Sequence, residues 1–228
     1  MSSTAERIAT ELTLQPRQVA AALSLFDEGA TVPFVARYRK EVTGGLDEVQ
    51  LRDVLERSEY LEELEDRRAA ILKSIDEQGR LDDVLRARIG AADTKQALED
   101  LYLPFKPKRR TRAIIARERG LEPLADLMWA GASDDAAVER AAASYVDAAK
   151  DVADSDAALQ GARDIIAERI AEDAALRSWV RERTRAAGVI ASRVRGARDA
   201  ASSRFADYFE FSQRLTEIPS HRVLAIRR

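Results

Sequence analysis

Apolar residues recur three and four apart along most of the chain, stop at glycines and prolines, and nowhere alternate through a long β-branched run. This pattern predicts an all-α fold, a multi-helix array. Helices are expected over 4–14, 17–28, 32–40 and 47–78, with Gly29, Gly44, Gly45 and Gly79 as the punctuation. The stretch 47–78 carries Leu51, Val54, Leu55, Leu61, Leu64, Ile71, Leu72 and Ile75 as one stripe. Its other face offers Asp53 with Arg57, Glu63 with Arg67 and Lys73 with Glu77 as i,i+4 pairs. At about 1.5 Å rise per residue it reaches roughly 48 Å, which makes it the long central helix on which others lean.

Further helices are expected over 82–89, 94–103, 112–119, 122–130, 134–149, 155–172 and 174–194, with Asp93 or Thr94, Thr111, Ser133 and Ser155 as N-caps. After Gly196 the period loosens ahead of the aromatic cluster Phe205, Tyr208, Phe209 and Phe211. The segment 195–220 reads as a connector that packs, and Ser220 as the cap of a helix that has barely begun when the chain stops. The expected division is 1–130, 131–194 and 195–228, within a fragment of something longer.

Composition narrows the function. Thirty-four per cent of residues are charged, yet the net charge is only −3. No overall basic field draws in nucleic acid, so any such binding must use local patches. There is no cysteine, which removes disulfides, thiolate metal sites and thiol nucleophiles and fits a reducing compartment. Glu6, Arg7 and Glu11 break any signal core, and no apolar stretch approaches the roughly 20 residues of a membrane span, so the expected location is the cytoplasm, without membrane contact.

Catalytic readings lack parts. His221 is the one histidine, so neither a His-based metal site nor a His-dependent serine triad assembles. The segment from Gly90 to Lys95 lacks the second glycine of a phosphate loop, and no strand precedes it. Asp82 and Asp83, like Asp134 and Asp135, sit at expected helix starts, where the helix dipole favours negative charge. The expectation is a binding module with no catalytic residue, metal, cofactor or small-molecule substrate.

Two basic constellations remain. In the first, a helix, a turn at Gly29 and a second helix opening at Pro33 form a helix-turn-helix-like hairpin, and Arg37, Tyr38, Arg39 and Lys40 are its candidate contacts to phosphate or base. The alternative reading buries Phe34, Val35 and Tyr38 and pairs the arginines with acids such as Asp47 or Glu48. In the second, Pro104 and Pro107 stiffen a turn that delivers Lys106, Lys108, Arg109, Arg110 and Arg112 to the start of a helix. Cations there oppose the helix dipole, so an acidic partner is wanted. It is either a nucleic-acid phosphate or the chain's own carboxylates, for instance Glu62, Glu63, Glu65 and Asp66 on the long helix.

The spelling of these segments carries a resemblance. TVPFVARYRKEVTGGLDE over 31–48, LEDLYLPFKPKRRT over 98–111 and GLEPLA over 120–125 resemble the N-terminal region of the Tex family of bacterial transcription accessory proteins, and IPSHR over 218–222 is similar to the entry into that family's next helical section. The resemblance fades over 131–156 and departs over 195–203. It implies a helical scaffold in transcription or RNA metabolism, part of a longer protein whose YqgF-like, helix-hairpin-helix and S1 domains are not in this chain. It further implies nucleic acid, RNA or DNA, as a partner held mainly by those missing domains, with RNA polymerase or the remainder of its own chain as possible protein partners. The alternative function is a protein–protein interaction module with no nucleic-acid contact.

Overall fold

The computed structural model describes residues 4–131, 135–194 and 204–227, and among them the chain is mainly helical, with twelve α-helices and one two-stranded sheet. It divides into two compact units, Met1–Tyr102 and Leu103–Arg228. The unit boundary lies at Tyr102 because the short helices after it pack with later residues.

The first unit holds α1 (Thr4–Leu12), α2 (Pro16–Asp27), α3 (Val32–Tyr38), α4 (Glu48–Glu77), α5 (Asp83–Gly90) and α6 (Lys95–Tyr102). The start of α4 is fixed by a capping box. The Asp47 carboxylate accepts from the Gln50 backbone N–H at 2.8 Å, and the Gln50 side chain accepts from the Asp47 N–H at 3.0 Å. Leu51, Val54, Leu61, Leu64, Ile71 and Ile75 are buried along one face, with Ser58 among them, while Leu55 and Leu72 flank the stripe half-buried. Each of the five other helices brings buried side chains of its own, among them Ile8, Val19, Val35, Ile89 and Leu98 in chain order, and α1, α2, α3, α5 and α6 all pack on α4. The long helix is the strut of this unit. Its expected i,i+4 pairs mostly yield to tertiary ones: Arg57 reaches Glu11 and Arg67 reaches Glu99 at 2.5 Å, leaving only Lys73 with Glu77, at 3.9 Å, as expected.

The second unit holds α7 (Arg112–Glu118), α8 (Glu122–Trp129), α9 (Asp135–Ala143), α10 (Ser155–Glu172), α11 (Ala174–Ala187), β1 (Val189–Arg193), β2 (Glu210–Arg214) and α12 (Ser220–Ile226). Helices α7, α8 and α9 pack on α10 over a core of small and branched residues that includes Ala116, Leu121, Leu124, Ala162 and Ile165. Gly161 lets the chain approach closely there, since a Cβ at that position would overlap the Leu121 side chain.

Several expected boundaries change. The helix expected over 134–149 ends at Ala143 and is followed by a turn, and α10 is capped by Asp154, whose carboxylate accepts from the Ala157 N–H at 2.7 Å, rather than by Ser155. The helix expected to reach 194 ends at Ala187. Val189–Arg193 instead pairs antiparallel with Glu210–Arg214, with Val189 opposite Arg214 and Arg193 opposite Glu210. The β-branched pair Val189 and Ile190 directly after Gly188 favours the extended form. The Ser133 cap and the 195–203 part of the connector lie outside the described residues. At the end of the chain Ser220 is the first residue of α12 rather than its cap, and Leu224 is exposed.

Candidate nucleic-acid interface

The hairpin is built by a left-handed turn. Gly29 has φ +87°, a conformation that side chains resist, and Ala30 N–H donates to the Leu25 carbonyl at 3.0 Å to close the end of α2. Pro33 sits in the first turn of α3, where its missing N–H costs nothing. Val32 and Val35 are buried. Phe34 and Tyr38, four apart and so on one side of the helix, face outward: Phe34 is 41% exposed, Tyr38 is 58% exposed, and Arg37 is exposed as well.

This corrects the reading that buries Phe34 and Tyr38; of the three residues only Val35 is core. The two rings lie 5.5 Å apart between centroids, tilted by 46°, and the Arg39 guanidinium sits 5.5 Å from the Phe34 centroid. The suggested acids are otherwise engaged, Asp47 as the cap of α4 and Glu48 with Arg52 at 2.9 Å. Among the described residues no carboxylate lies within 4 Å of Arg37, Arg39 or Lys40, all three exposed. The loop that follows is tied down: Thr43 is fully buried and its hydroxyl donates to the Lys40 carbonyl at 3.3 Å, the Gly45 N–H donates to the same carbonyl at 2.8 Å, and the Gln18 amide donates to the Gly44 carbonyl at 2.8 Å.

The basic turn is arranged differently. Thr111 caps α7 as expected, its hydroxyl accepting from the Ile114 N–H at 3.1 Å while donating to Glu168 at 2.9 Å. Lys108 is drawn onto α10, bonded to Glu172 and 3.7 Å from Glu168. Arg117 bonds Glu168 at 2.6 Å, and Arg169 bonds Glu122 at 2.8 Å and Asp126 at 2.6 Å. Burial disfavours the Glu168 carboxylate, whose side chain is 12% exposed, but the hydrogen bonds from Arg117 and Thr111 outweigh it and hold its pKa below the ordinary value of 4.5. Arg110 makes an exposed pair with Glu118 at 2.6 Å. Lys106, Arg109 and Arg112 are exposed, with no carboxylate within 4 Å among the described residues.

The internal partners of this turn are thus Glu118, Glu168 and Glu172, not the acids suggested on the long helix, where Glu63 bonds Lys95 and Glu65 bonds Arg68. Sequence reasoning left Tyr38 open between a surface contact and the core, and missed the exposure of Phe34. The signal was present but ambiguous, because Val32 with Val35 and Phe34 with Tyr38 are two rival apolar faces of one short helix.

No helix among the described residues is long and apolar enough to cross a membrane. The chain is therefore a mainly helical scaffold with two surface clusters of cations, one of them half absorbed into its own carboxylates. Residues 2–76 match the family described as Tex-like protein N-terminal domain, and residues 133–228 match Tex central region-like. The chain is 51% identical over 221 residues to the transcriptional accessory protein Tex of Neisseria gonorrhoeae and 55% identical over 221 residues to protein YhgF of Escherichia coli, covering 97% of this chain in each case. It is also 31% identical over 110 residues, 48% of its length, to the human S1 RNA-binding domain-containing protein 1, of which it covers 11%. This chain belongs to the Tex-like family. It spans 29% of the gonococcal protein and 28% of the Escherichia coli one.

Proposed function

We propose that this chain is the non-enzymatic N-terminal scaffold of a cytoplasmic transcription accessory protein, and that it contributes to nucleic-acid contact through cations left open on its surface. The observation that carries this reading is the set Arg37, Arg39, Lys40, Lys106, Arg109 and Arg112, exposed and without a carboxylate within 4 Å among the described residues, in a chain whose net charge is −3. Positive charge not neutralised at home is available to phosphate. Lys108 and Arg110 contribute less in this reading, since both hold carboxylates of their own. The names of the relatives, a transcriptional accessory protein and an S1 RNA-binding domain-containing protein, agree with a place in nucleic-acid metabolism.

The test is binding of a labelled single-stranded RNA followed between about 50 and 200 mM salt. Each cluster of three cations contributes about −2 to the slope of log affinity against log salt. Charge reversal of Arg37, Arg39 and Lys40, or of Lys106, Arg109 and Arg112, removes its share; a slope near zero in the unsubstituted chain refutes the reading.

A second reading, a module for protein contacts alone, is favoured by α11. That helix has no buried residue, and Leu176, Val180 and Trp179 are exposed on it, Trp179 by 61%. Its partner would be RNA polymerase or the remainder of a longer chain. The same titration decides between the two, because this reading requires no binding of RNA.

A further inference from the structure

We infer that the outward face of α3 is a stacking platform for unpaired bases: Phe34 and Tyr38 receive the bases of a single-stranded nucleic acid while Arg37, Arg39 and Lys40 take its phosphates. This rests on the nucleic-acid reading above and names the form of the ligand and the side chains that hold it.

The chemistry of α3 argues against duplex reading. A helix that enters a major groove reads base edges with polar side chains near its N-terminus. The first residues of α3 are Val32, Pro33 and Phe34, none of which can hydrogen-bond to a base edge, and Val32 is buried. All the cations lie at the other end of the seven-residue helix and just beyond it. What the outward face does offer is aromatic surface, which in a protein of low aromatic content stands paired and half in solvent rather than scattered.

The geometry suits a strand whose bases have left their own stack. Successive bases in a duplex strand lie about 3.4 Å apart. The Phe34 and Tyr38 centroids are 5.5 Å apart and their planes differ by 46°, so one base on each ring requires neighbouring bases to be splayed. The Arg39 guanidinium lies over the Phe34 ring, 5.5 Å from its centroid, which sets a cation for the backbone phosphate directly beside the aromatic pair. Ring faces accept every base, so the platform selects single strands over duplexes without selecting a sequence, and ribose and deoxyribose strands share the chemistry it reads. The surplus of cations over carboxylates, three against Glu41 within 37–41, favours a polyanion over an apolar protein partner.

The test is fluorescence anisotropy of the whole chain with three labelled probes of about 12 nucleotides, oligouridylate, oligodeoxythymidylate and a DNA duplex. The variant Phe34→Ala with Tyr38→Ala should lose about thirty-fold or more in affinity for both single strands, with duplex affinity and melting temperature unchanged, because both rings are exposed. Tyr38→Phe should retain affinity. A weaker effect on the ribose strand than on the deoxyribose strand, or the converse, would identify which of the two the site prefers and still support the platform. Single-strand affinity that survives the double substitution while charge reversal of Arg37, Arg39 and Lys40 abolishes it would overturn the platform and leave the nucleic-acid reading standing. Tighter binding of the duplex than of the single strands would also overturn it. Absence of binding to all three probes would overturn both and assign the rings to a protein partner.

Discussion

The end of α3 carries three cations and the turn before α7 five, and the fold treats them differently: among the described residues, at the first all three stay clear of carboxylates, at the second Lys108 and Arg110 are paired. At α3 the cations Arg37 and Lys40 meet no carboxylate, and the third, Arg39, lies over a ring. Before α7, Lys108 is pulled into a half-buried set with Glu168 and Glu172, and Arg117 and Thr111 complete the coordination of Glu168. The difference is not in the basic residues but in what the neighbouring helix presents. Helix α10 turns glutamates toward the α7 turn, whereas α3 sets buried valines against its unit and leaves its charges outside. A basic run therefore measures potential for binding, and the acids within reach determine how much is left over.

This contrast can be broken by substitution. Lys108→Glu has the largest expected effect, because it places a carboxylate beside Glu168 and Glu172; a stability loss of about 3 kcal/mol is expected in denaturant unfolding. Glu168→Gln should cost about 2 kcal/mol by weakening the partners of Lys108 and Arg117 together. The same carboxylate gives a pH signature. Its pKa in the fold lies below the unfolded value near 4.5, so its contribution is complete above that pH and is lost as pH falls through the lower folded value. Acid unfolding of Glu168→Gln should accordingly be less steep between those two values than that of the unsubstituted chain. Arg110→Ala removes only an exposed pair, and a change within about 0.5 kcal/mol is expected. Arg37→Glu should be as mild in stability, yet reduce the salt slope of RNA binding by about 0.7.

The sequence made the first unit largely legible. A stripe repeated over 30 residues identifies α4 with little ambiguity and Gly79 marks its end, whereas Asp47, read as its first residue, is its cap. Thr111 was readable as a cap because it directly precedes an apolar period. What could not be read was decided by residues far away in the chain. Strand β1 follows Gly188 with two β-branched residues, but its partner, Glu210–Arg214, has none and is recognisable only once paired. The carboxylates that claim Lys108 lie 60 and 64 residues further on, beyond the reach of any local pattern. At α3 the local pattern offers two apolar faces, and packing on α4 selects the branched one, which turns both rings to solvent.

The account stands most directly on the openness of the α3 cations. The decisive measurement is the salt dependence of single-stranded RNA binding by the whole chain and by its Arg37→Glu, Arg39→Glu, Lys40→Glu variant, with thermal melting alongside. The slope should become shallower by about 2 while the melting temperature holds. An unchanged slope, or a variant that melts well below the unsubstituted chain, would contradict it by showing those charges idle or already committed within the fold.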